Sequence, residues 1–130
     1  MSYLAVGALG MSLLAGSPMY RQAASGFVVD GEASRSCGQY LEAVKAEDAA
    51  RPPDADPGKR YTALYVIFVG VTDGFLTGVN YVDRQGSQLG QSSDAQSRMA
   101  WLADYCQAHP QAPFIEALQY LRLELIKKGT

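Results

Sequence analysis

The feature that most constrains this chain is a pair of cysteines, Cys37 and Cys106. They lie 69 positions apart in 130 residues, with no third cysteine. The spacing matches no CxxC metal or redox motif. In an oxidising compartment the two read as one disulfide. Closing a loop of that length stabilises a fold by about 4 kcal/mol on the chain-entropy account. In a reducing compartment they read instead as two separate buried thiols. The compartment therefore decides, and the N-terminus bears on the compartment.

Residues 2–20 carry no charge, and Arg21 is the first charged side chain after the N-terminus. Residues 4–15 form an apolar stretch of the length of a signal-peptide core. Ala23, Ala24 and Ser25 offer small residues for a cleavage site, although no Lys or Arg precedes the apolar run. The expectation is a signal peptide over residues 1–25, followed by a single helical domain over residues 26–130. A retained anchor or an ordinary core helix are the alternatives. Pro18 and the neighbouring glycines and serines argue against a stable membrane span.

Composition narrows the class. With 48% apolar and 18% charged residues, the chain can bury one core and is not disordered. Eleven basic residues against thirteen acidic ones leave a formal charge of −2, with no Lys/Arg cluster before the last turn. That balance provides no footprint for nucleic acid. One His and two Cys exclude a multi-ligand zinc or iron–sulfur scaffold, and no cofactor is expected.

Residues 27–30 are β-prone and read as an extended lead-in. A first helix is expected near residues 34–48, because Cys37, Tyr40, Leu41 and Val44 recur on one helical face. Ser34 or Ser36 can cap it. The run RPPDADPG at 51–58 then breaks regular structure and forms a solvated loop. Residues 61–82 are the long central segment. Their β-branched and aromatic start leaves a buried strand open, but the absence of a turn signal before Asn80 favours a helix. Asp73 interrupts the apolar run and argues against a membrane span. Gly70, Gly74 and Gly78 fall four apart. On a helix they make a stripe without side chains, the spacing of a dimerising helix in a membrane. In a soluble bundle the stripe is expected to pack at a tight internal crossing.

Residues 84–92 are rich in Gly, Ser and Gln and read as a loop. Ser93 with Gln96 is a capping-box signature for a third helix. That helix runs to about Ala108, burying Trp101, Leu102, Tyr105 and Cys106, and His109-Pro110 ends it. Pro113 suits the first turn of a fourth helix. There Phe114, Leu118, Leu121 and Leu125 form an apolar stripe. Lys127, Lys128 and Gly129 complete its C-terminus. The fold expected is all-α, a small four-helix domain whose disulfide joins the first and third helices.

Chemistry is sparse. The one histidine, His109, sits at a helix end and is expected to contact the last carbonyls. No GxSxG elbow and no Gly-rich phosphate loop occurs. The acid pairs Asp54 with Asp56 and Glu47 with Asp48 flank the proline loop and read as solvated. Asp73 is the acid with apolar surroundings. It reads as a satisfied polar residue bonded to Thr72, Thr77 or a tyrosine, or as a titrating group, the basis of a small-hydrolase alternative. Eight tyrosines is a high count. Tyr61, Tyr65 and Tyr81 are candidates to line one partner-binding groove with Asp73, core and rim packing being the alternative.

The run Ser36-Cys37-Gly38-Gln39-Tyr40-Leu41 resembles the first disulfide helix of the HdeA-type periplasmic acid-stress chaperones. The glycine-bearing segment 70–80, the run LADYC ending at Cys106, and Phe114 onward match that plan in order. The chain is also similar to small periplasmic immunity proteins that protect bacteria from type VI secretion toxins. Their central helix carries a Gly-x-x-x-Gly-like stretch, comparable here to Gly70 through Gly74. The resemblance implies a non-enzymatic, disulfide-clamped protein of the bacterial envelope, periplasmic or secreted. Its partner is then another protein. An immunity or inhibitor protein would occlude a toxin with loops 50–60 and 84–93 and exposed tyrosines. An acid-activated chaperone would instead hold unfolded clients. A homodimer and, if residues 1–25 stay attached, a membrane are the other partners the sequence allows.

Overall fold

The computed structural model describes residues 31–83 and 88–129. The signal-like segment 1–25, the lead-in 27–30 and residues 84–87 of the 84–92 loop lie outside them. A short 3-10 turn at Gly31–Ser34 is followed by four α-helices: α1 (Cys37–Ala50), α2 (Ala63–Val82), α3 (Ala95–Ala108) and α4 (Phe114–Lys128). The described residues contain no strand. The β-prone start of the central segment is therefore helical, and one continuous 20-residue helix fills it.

Each helix starts and stops where local chemistry dictates. Ser36 caps α1 in a full capping box: its hydroxyl accepts the Gln39 N–H, and the Gln39 side chain accepts the Ser36 N–H. Asp94, rather than Ser93, caps α3, because its carboxylate takes both the N–H and the hydroxyl of Ser97. These bonds hold the Asp94 carboxyl below its usual range. Pro113 sits at the cap position of α4 rather than inside its first turn. Gly129 ends α4 in the left-handed conformation, at φ 67°.

The disulfide Cys37–Cys106 joins α1 to α3, with the two Cα atoms 4.9 Å apart. The start of α1 is also stitched to the α3–α4 connection. Cys37 N–H donates to the Ala112 carbonyl at 2.8 Å, and Gly38 N–H to the Pro110 carbonyl at 2.9 Å. A Cβ at Gly38 would lie 3.3 Å from that same Pro110 oxygen, tighter than ordinary van der Waals contact, so a side chain here would push the α3–α4 connection outward by a few tenths of an ångström.

All four helices meet at one aromatic knot. The rings of Tyr40 (α1), Phe68 (α2) and Phe114 (α4) lie 4.8–5.1 Å apart, edge-on or tilted. The Tyr40 hydroxyl donates to the Met99 carbonyl of α3 at 2.7 Å. Burial, first, pushes the Tyr40 pKa far above the ordinary tyrosine range. The α4 stripe Phe114, Leu118, Leu121 and Leu125 is wholly buried. α2 contributes Tyr65, Phe68, Thr72 and Leu76, one face of a helix, and the Thr72 hydroxyl is satisfied by the Phe68 carbonyl. By length and composition alone α2 could cross a membrane, yet this face is core.

Candidate partner-binding site

The loop between α1 and α2 is where the sequence concentrates proline, charge and a tyrosine. The structure gives it internal order. Ala55 N–H donates to the Pro52 carbonyl at 3.1 Å and Lys59 N–H to the Asp56 carbonyl at 3.0 Å, so two turns follow each other. Gly58 N–H donates to the Asp56 carboxylate at 2.8 Å, and the Arg60 guanidinium to the Pro57 carbonyl at 3.1 Å. Pro52, Pro53, Asp54, Asp56, Pro57, Gly58 and Lys59 are nevertheless exposed.

The base of this loop is fixed by Glu47. Its carboxylate, 1% exposed, accepts the Tyr61 N–H at 2.9 and 3.1 Å, the Thr62 N–H at 2.8 Å and the Thr62 hydroxyl at 2.9 Å. Arg51, one turn along α1, stands 3.9 Å from it. Thr62 is the cap residue of α2 and makes no side-chain cap of its own. Glu47 thus takes over the work of an N-cap, from a neighbouring helix, with its negative charge at the positive end of the α2 dipole. Burial opposes ionisation of Glu47. The hydrogen bonds from Tyr61 and Thr62 and the Arg51 charge outweigh it, and the carboxyl is held below its ordinary range. The solvated Glu47–Asp48 pair is therefore corrected: Asp48 is exposed, and Glu47 is the buried acid.

Three cations gather on two tyrosines here. Arg51 and Lys59 lie 5.9 and 5.5 Å from the Tyr61 ring centre, and Arg60 lies 5.9 Å from that of Tyr65. The result is a solvent-facing loop with charges of both signs, a tyrosine at its foot and a buried carboxylate pinning it.

The other candidate residues are not assembled into one groove. Tyr61 is half-buried at the foot of the loop, Tyr65 is in the core, and Tyr81 is 71% exposed at the far end of α2. Twenty residues of helix set the two ends about 30 Å apart. Asp73 is exposed rather than set in apolar surroundings, and Arg98 of α3 pairs with it at 3.1 Å. Its carbonyl, not its carboxylate, takes the Thr77 hydroxyl. The same Arg98 also donates to the Gly90 and Ser93 carbonyls, ordering the start of α3. Asn80 exchanges two hydrogen bonds with the backbone of Leu89, tying the end of α2 to that connection.

Gly70, Gly74 and Gly78 face outward. Among the described residues, a Cβ at any of them would meet nothing within 4 Å, which corrects the expected internal crossing. The buried face of α2 is built by its large side chains, and the glycines fall on the opposite side. His109 ends α3 as expected, its Nδ1 3.0 Å from the Tyr105 carbonyl. Its ring stacks on Tyr105, which also stacks with Trp101 and Tyr120. The Tyr105 hydroxyl donates to Glu116 at 3.1 Å. Burial, that bond, and the charges of Glu116 and Tyr120 push Tyr105 up to about 12. No group of three His, Cys, Asp or Glu side chains suited to a metal forms among the described residues.

Against known protein families, curated proteins and solved structures, the chain finds no match.

Proposed function

We propose that this chain is a non-enzymatic protein of the bacterial envelope that binds another protein, acting as an immunity or inhibitor protein that occludes a toxin enzyme. The observation that carries the reading is the loop at 51–61, exposed at its tip and fixed at its base by Glu47. A binding loop that is ordered before it meets its partner loses little conformational entropy on association. Tyrosine and arginine at its foot are residue types that dominate protein interfaces. The disulfide fits a periplasmic or secreted location, since such bonds persist in oxidising compartments.

The test is co-expression, in the envelope, with each secreted toxin that the neighbouring genes are found to encode. The wild-type chain is expected to restore growth, and Tyr61→Ala combined with Lys59→Glu to lose that protection while remaining folded. Growth rescue untouched by the loop changes, or no rescue at all, contradicts the reading.

A second reading, an acid-activated chaperone of the HdeA plan, is favoured by one observation. A buried carboxylate clamps two helices, and acid removes its charge. Suppression of client aggregation near pH 3, absent near neutrality, distinguishes it from the first. A hydrolase using Asp73 draws no support from an exposed carboxylate already paired with Arg98.

A further inference from the structure

We draw no further inference here: the strongest candidate, the buried Glu47 carboxylate that clamps the loop at 51–61 to the start of α2, belongs to the site already described.

Discussion

The carboxylate of Glu47 receives both the backbone N–H and the hydroxyl of Thr62, at 2.8 and 2.9 Å, across a fifteen-residue separation that contains the whole proline loop. This contact converts a break between two helices into a held structure. Glu47→Ala leaves the half-buried N–H groups of Tyr61 and Thr62 without their acceptor and is expected to destabilise the fold by about 2 kcal/mol. Asp48→Ala, one residue along and exposed, is expected to change stability by about 0.5 kcal/mol or less. Urea unfolding of the two variants side by side measures the contrast.

The same carboxyl predicts a direction for pH. Its folded-state pKa is depressed relative to the unfolded chain. Its stabilisation is therefore complete above the ordinary glutamate range, about 4.3, and is lost as pH falls through the lower folded value. Urea midpoints should fall between pH 6 and pH 3 in the wild type, and fall less in Glu47→Gln. Equal slopes in the two proteins would show that other carboxylates carry the acid sensitivity.

Reduction tests the covalent tie. Opening Cys37–Cys106 releases the loop of 69 residues in the unfolded chain, so Cys37→Ala with Cys106→Ala should lose about 4 kcal/mol. Thermal unfolding with and without reductant gives the same difference in the wild type. An unchanged Tm under full reduction would contradict it.

Gly74→Ala should raise the stability of the monomer by about 0.5–1 kcal/mol, because the added methyl meets no atom within 4 Å among the described residues and a helix-interior glycine is removed. Denaturation at low protein concentration, below any self-association, checks the sign. A destabilised variant would place a neighbour at that position.

The helices were legible because their buried faces are written at helical spacing. Phe114, Leu118, Leu121 and Leu125 recur on one side of α4, and every one of them is core. α2 was legible as an element but not in its orientation. It is apolar over most of its surface, so periodicity does not say which side faces inward, and a glycine stripe suggests a packing seam where these three glycines face outward. The capping of α3 shifted by one residue because Ser93 with Gln96 and Asp94 with Ser97 both fit the same spacing, and the carboxylate is the better acceptor. Glu47 was hidden for a different reason. Its partners lie beyond three prolines, and only the fold of that loop brings them back to α1. The prominence of Asp73 as an acid in an apolar run was equally misleading, since Arg98 reaches it from another helix.

Amide hydrogen exchange, read on the chain alone and on the chain saturated with the partner against which it restores growth in co-expression, shows whether the 51–61 loop is held before it binds. The Tyr61 and Thr62 amides are expected to be slow already in the free chain. Ala55, Gly58 and Lys59 are expected to slow further when the partner is bound. Tyr61 and Thr62 amides exchanging at the rate of an unstructured loop, or loop amides indifferent to the partner, would contradict the reading.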